Sequence, residues 1–259
     1  MELYKFKNFS QFSNIEHFVT TRKGGYSVFP YANNNMSLES SDNQTVNNRL
    51  KLSEKIKLPL ENFVYQYQTH TKNIELVTAC HKGRGITDIR HAIQENDAMI
   101  TSEPEICIVV MAADCVPVFL FDSKKNIIAA IHAGWKGTVQ KIVYETVTTM
   151  IKEYNSNPAD IIAGIGPSIG SCCYEIGNEV VSIISENFTN YKELLIYKSE
   201  QQKFHFDLWL SNKLQLIDAG VKSENIEIAN ICTKCNNNSF YSARCGDKGR
   251  FSAGIYLKK

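Results

Sequence analysis

The sequence predicts one α/β domain over residues 1–259, a mixed sheet with helices outside it. Three observations predict it. Short Val- and Ile-rich apolar runs bounded by turn residues occupy 106–113, 116–121 and 127–131, and read as buried strands. Longer stretches, about 139–154 and 207–219, carry apolar residues at helical spacing. Strands and helices mix without a clean βα alternation, an internal repeat or a linker. At 259 residues, 43% hydrophobic and 21% charged, the chain has ample length and composition for a large core.

In chain order, His17–Thr21 reads as a strand running into Arg22-Lys23-Gly24-Gly25. There a tight turn could present backbone N–H groups to an anion. The Ser/Asp/Asn-rich stretch 37–47 reads as a loop, and 47–56 as a helix. Residues 63–70 alternate apolar or aromatic with polar, the period of a half-buried strand ending at His70. Strands are expected at 74–77 and 98–101. The central hairpin follows, with a polar turn at 122–126. Its geometry would bring Cys115, before the second strand, close to His132, at the end of the third. Thr138 reads as the N-cap of the helix from about 139 to 154. A strand at 161–165, a helix at 179–188, and a helix at 207–219 closed by Gly220 come next. Strands at 226–231 and 250–257 complete the chain.

Composition removes several classes of function. A net charge of +1 and no Lys/Arg-rich block argue against nucleic acid or an anionic membrane surface as partner. No apolar run approaches the ~18 residues a membrane helix needs. The N-terminal residues lack the apolar core of an export signal, so a cytoplasmic setting is expected. There the eight cysteines would be thiols or ligands rather than disulfides.

Three constellations carry chemistry. His70, Cys115 and His132 would make a three-ligand metal site with an open fourth position, if the fold brings them together. The same Cys115 and His132 would equally make a thiol nucleophile and its base. Cys232-x-x-Cys235 could be half of a zinc ribbon. Cys172-Cys173 is adjacent rather than spaced by two, so ordinary thiols are the expectation there. Arg244, Lys248 and Arg250, near Gly246 and Gly249, could hold an anionic substrate or simply form a solvated loop. Neither glycine cluster matches a nucleotide-binding fingerprint.

The ordered set Thr20-Thr21-Arg22-x-Gly24-Gly25, Gln68-x-His70, Asn96-Asp97-Ala98-Met99, Ala113-Asp114-Cys115-x-Pro117, His132-Ala133-Gly134-Trp135-x-Gly137, Gly166-Pro167-Ser168-Ile169-Gly170-x-Cys172-Cys173-Tyr174-Glu175 and Cys232-Thr233 resembles the YfiH/laccase-domain family. That family is also called the multicopper polyphenol oxidase or peptidoglycan-editing-factor family. The resemblance runs from about residue 15 to the end. It implies a four-layered single domain, with helices outside two packed mixed β-sheets. It also implies zinc held by His70, Cys115 and His132. The implied activity is phosphorolysis of adenosine, inosine and methylthioadenosine to base and ribose 1-phosphate, with deamination of adenosine to inosine. Two departures stand out. Thr71 follows the first histidine where the family usually has Gly, and Ala243-Arg244-Cys245 replaces the usual Tyr-Arg-Arg.

The implied chemistry suits these ligands. Zinc acidifies a water for deamination, and Cys115, His132 and Asp114 are the expected catalytic set, with Asp97 a second group able to move the proton. Phosphate is expected at Arg22 and the Gly24-Gly25 backbone. The alternatives are a Cys115–His132 amide hydrolase acting on cell-wall precursors and a copper-dependent polyphenol oxidase. The latter is poorly served by six scattered histidines.

Overall fold

Strands from both ends of the chain close around its central hairpin. The computed structural model describes residues 1–259. Its strands are β1 (Leu3–Tyr4), β2 (Ile15–Thr20), β3 (Phe63–Tyr65), β4 (Ile74–Leu76), β5 (Ala98–Thr101), β6 (Cys107–Ala112), β7 (Val116–Asp122), β8 (Ile127–Ala133), β9 (Ile161–Ile165), β10 (Glu175–Ile176), β11 (Leu195–Lys198), β12 (Lys203–Phe206), β13 (Ile226–Ile228) and β14 (Phe251–Leu257). The helices are α1 (Lys7–Ser10), α2 (Thr45–Ile56), α3 (Trp135–Val139), α4 (Ile142–Tyr154), α5 (Asn178–Asn187), α6 (Tyr191–Leu194) and α7 (Leu208–Asp218).

Two mixed sheets result. One has the order β1-β2-β14-β6-β3 and the other β13-β9-β7-β8-β5-β4. The pairs β3–β6, β4–β5 and β13–β9 are parallel and the remaining pairs antiparallel. Because side chains alternate along a strand, β7 sends Phe119 and Phe121 to one face and Val118 and Leu120 to the other. The phenylalanines meet Val110, Ala253 and Ile255 in the core between the sheets. The other face packs on Val143, Val147 and Met150 of α4 and Leu216 of α7. The outer face of the first sheet, with Tyr65 and Val109, is covered by Leu52 of α2. This is the four-layered α/β arrangement. It explains why the central strands are apolar almost throughout, Asp122 and His132 near their ends apart: both their faces are buried.

The structure departs from expectation in three places. The helix expected from about 139 is broken into α3 and α4 at Lys141, which has φ +62°. Thr138 therefore lies inside α3 rather than capping a helix, and its carbonyl accepts the Gln215 Nε2 donor at 2.8 Å. A third sheet, β10-β12-β11, comes from short strands too polar to announce themselves. The strand expected to reach His70 ends at Tyr65. Beyond it the side-chain amide of Gln68 takes over the ladder. Its Nε2 donates to the Met111 carbonyl at 2.8 Å, and the Met111 N–H donates to its Oε1 at 2.7 Å. The backbone is thus released to turn at His70, where φ is +61°.

Candidate active site

The site forms where the chain crosses from one sheet to the other. Residues 113–115 join β6 to β7, and Asp114 makes the turn with φ +91°. In the β7–β8 hairpin Pro117 pairs with His132 and Val116 with Ala133, so Cys115 lands beside His132. His70 completes the group. The ligand atoms of His70, Cys115 and His132 all lie within 4.8 Å of one another. Gly134 lets them approach: a β-carbon there would stand 2.5 Å from His70 Nδ1 and 3.1 Å from Cys115 Sγ.

Asp97, at the start of β5, fixes His132. Its Oδ1 lies 2.8 Å from His132 Nδ1, and its backbone carbonyl accepts the His132 N–H at 2.8 Å. Asp97 Oδ2 in turn accepts the Thr71 N–H at 2.6 Å and the Thr71 hydroxyl at 2.8 Å. Nδ1 is thereby occupied and Nε2 is left for the cleft. Burial alone would push the His132 pKa down. The Cys115 sulfur and the Asp97 carboxylate outweigh it and raise the value to about 9. Burial opposes ionisation of Asp97 as well, but His132 and Thr71 hold its carboxyl below the usual range. The His70 ring is partly covered by the cleft walls, which together with His132 lowers its pKa.

These residues open on a cleft of ≈ 240 Å³, whose walls include Glu39, Gln68, Met111 and Arg250. Arg250 donates to the Gly249 carbonyl at 2.9 Å and forms no salt bridge, so it keeps N–H groups for an anion. Two imidazoles and a thiol beside an open cleft, one imidazole oriented by a carboxylate, are a donor set that zinc takes in catalytic sites. The residues present fit that ion.

Not every expected residue is here. Arg22 is engaged elsewhere: it pairs with Asp247 at 3.2 Å, donates to the carbonyls of Asn237 and Ala32, and stacks on Tyr241. Gly24 lies against Met1, and Gly25 against Asn33 and Asn34. None of the three lines the cleft. Asp114 adjoins Cys115, and each of its oxygens accepts a hydrogen bond from a later loop. Oδ1 accepts the Thr233 hydroxyl at 2.6 Å, and Oδ2 accepts the Arg244 N–H at 2.7 Å. Asp97 stands behind His132 and Arg250 on the cleft wall, positions that adjacency in sequence does not mark. The signal available was the Asn96-Asp97-Ala98-Met99 motif, an acid immediately before a buried strand.

Residues 16–258 match the family described as multi-copper polyphenol oxidoreductase laccase. The chain belongs to this family. Among its relatives, a protein of Bacteroides thetaiotaomicron named purine nucleoside phosphorylase is 39% identical, covering 98% of this chain and 96% of the relative. A protein named adenosine deaminase RL5, from an unknown prokaryotic organism, is 32% identical over the full length of both. Among solved structures, a Bacillus licheniformis hypothetical protein YfiH superposes with a TM-score of 0.93 at 31% identity, covering 99% of this chain and 96% of that one. YlmD from Geobacillus stearothermophilus gives 0.92 at 31% identity, covering 98% and 94%. Of its six histidines, only His70 and His132 join a ligand cluster.

Proposed function

We propose that this chain is a zinc-dependent purine nucleoside phosphorylase with adenosine deaminase activity, acting on free nucleosides in a reducing cytoplasm. The observation that carries this reading is the convergence of His70, Cys115 and His132 at a cleft, with Asp97 behind His132. The relatives' names supply the substrate class. The eight cysteines are unpaired, as a reducing setting requires, and no helix is long and apolar enough to cross a membrane.

Zinc held by His70, Cys115 and His132 would supply Lewis acidity and bring a water to near-neutral pKa. The chain's own residues do the rest. Asp97 keeps His132 in one tautomer and one orientation, so Nε2 always points into the cleft. Arg250 is the cation best placed to receive phosphate, a role the geometry does not favour for Arg22. Glu39, on the cleft wall, presents an acceptor for a ribose hydroxyl. Asp114 acts as a positioning residue for the Cys115 turn, its carboxylate held by the Thr233 hydroxyl and the Arg244 N–H.

Incubating purified protein with adenosine, with and without phosphate and before and after chelation, tests the reading. Phosphate-dependent adenine, lost on chelation and with Cys115→Ala, is the expected result. No purine product from zinc-loaded protein would overturn it. The Cys115–His132 contact that raises the histidine's pKa is also that of a thiolate–imidazolium pair. An amide hydrolase built on that pair would keep most of its activity in His70→Ala, whereas the zinc enzyme would not.

A further inference from the structure

A second cluster lies outside the cleft. The sulfurs of Cys172, Cys173, Cys232 and Cys235 all lie within 4.8 Å of one another. Cys235 Sγ is 3.7 Å from Cys172 Sγ and 3.4 Å from Cys173 Sγ. A tetrahedral zinc with Zn–S bonds of about 2.3 Å sets its four sulfurs about 3.8 Å apart. We propose that these four cysteines bind a second metal ion, a structural tetrathiolate zinc that clamps two loops together beside the cleft.

The fold makes this meeting systematic. β9 and β13 are parallel neighbours, so the segments that follow them leave the same end of the sheet. The two segments stay paired: Ser168 bridges Cys232, and the Thr233 N–H donates to the Ser168 carbonyl at 3.0 Å. Each then reverses in a tight turn. The Cys173 N–H donates to the Gly170 carbonyl at 2.9 Å, and the Asn236 N–H to the Cys232 carbonyl at 2.9 Å. Both turns wrap the chain around the point where the sulfurs converge. Gly170 leaves room for this packing: a β-carbon there would stand 3.3 Å from Cys172 Sγ and 3.0 Å from the Trp209 ring, so a neighbour would have to shift.

The cluster suits one ion and leaves no vacant position on it. Separations this short enclose a single ion rather than an iron–sulfide cage. Four thiolates fill a tetrahedron, which marks a structural site. Their excess negative charge is partly offset by Lys198, whose Nζ donates to the Cys172 carbonyl at 2.8 Å. Cys235 approaches two other sulfurs, at 3.4 and 3.7 Å, both well beyond the ~2.05 Å of a disulfide. The clamp has a local consequence. Thr233, one residue from Cys232, holds Asp114, and the Asp114 carbonyl accepts the Ile169 N–H at 2.9 Å. The ion would therefore brace both loops against the turn that presents Cys115.

Zinc per chain, measured on protein purified under reducing conditions, tests this independently of nucleoside turnover. Cys235→Ala should lose one equivalent relative to the unaltered protein, and His70→Ala should retain one. Cobalt loaded into His70→Ala should give the intense sulfur-to-metal charge-transfer band of a tetrathiolate, absent from His70→Ala/Cys235→Ala. Zinc content unchanged by Cys235→Ala would overturn the proposal. So would His70→Ala that binds neither zinc nor cobalt, or a freshly purified chain lighter by two hydrogens from a disulfide among these cysteines. The His70→Ala measurements decide the question even if Cys235→Ala does not fold.

Discussion

His17 and His132 are equally hidden from water, at 2% and 4% exposure, yet their surroundings push their pKa values in opposite directions. His17 sits on β2 among aromatic rings, with Phe9 at 5.2 Å and Phe6 at 5.9 Å between centroids. Its Nε2 accepts the Phe6 N–H at 2.8 Å, which requires a neutral ring. Burial pushes its pKa down to about 4. His132 is buried as deeply, but faces Cys115 and Asp97, and its pKa rises to about 9. Burial alone therefore says nothing about function. A buried histidine with a buried carboxylate and a thiol is prepared for chemistry, while one with a backbone donor and phenyl rings holds the fold.

The largest effect should come from altering the histidine at the cleft. On the proposed function His132→Ala removes a ligand of the zinc, and adenosine phosphorolysis should fall by about 10³-fold or more in kcat/KM, equivalent to roughly 4 kcal/mol. His17→Gln, which keeps an acceptor for the Phe6 N–H, should leave turnover at neutral pH within a few-fold. Equal losses in both variants would erase the contrast.

Acid stability comes next, and belongs to His17. Its folded pKa lies below the unfolded value of 6.5, so between pH 6.5 and about 4 the unfolded chain binds more protons. Stability contributed by the neutral ring is therefore present above pH 6.5 and declines as pH falls toward 4, by about 3 kcal/mol in all. Below pH 4 the loss levels off. Urea midpoints across this range should show the decline in the native protein and a flatter curve in His17→Gln. Parallel curves would place the acid-labile group elsewhere.

Asp97→Asn weakens the support of His132 without removing a ligand. Loss of a carboxylate behind a metal-binding imidazole costs about 10–100-fold in metal affinity. Chelator competition should show that drop, with the fold intact. Affinity unchanged from the native protein would mean that Asp97 serves only packing.

The hairpin was legible because its strands are buried on both faces and its turn is polar, so Cys115 and His132 could be paired from sequence. Asp114 adjoins Cys115 in sequence, but the partners of its carboxylate could not be read from that adjacency. Thr233 and Arg244, which claim Asp114, come from loops more than a hundred residues later. The cysteine cluster was illegible for a related reason. The adjacency of Cys172 and Cys173 argued against a site, and only the parallel pairing of β9 with β13 brings them to Cys232 and Cys235. The early end of β3 depends on a side-chain amide imitating a strand, which no alternation pattern reveals.

Thr71, where this chain departs from the usual glycine, offers the finest version of the comparison. Its hydroxyl donates to Asp97 Oδ2 at 2.8 Å, in addition to the backbone N–H at 2.6 Å. Thr71→Gly would delete the first bond and keep the second. A hydrogen bond to a charged group contributes about 1.5–3 kcal/mol, and the low end applies where a backbone donor remains. Metal affinity in Thr71→Gly should therefore fall by roughly tenfold or less, a smaller loss than in Asp97→Asn. Because the hydroxyl reaches His132 only through Asp97, Asp97→Asn/Thr71→Gly should bind metal much as Asp97→Asn does. Additive losses would mean that Thr71 shapes the turn at His70 directly.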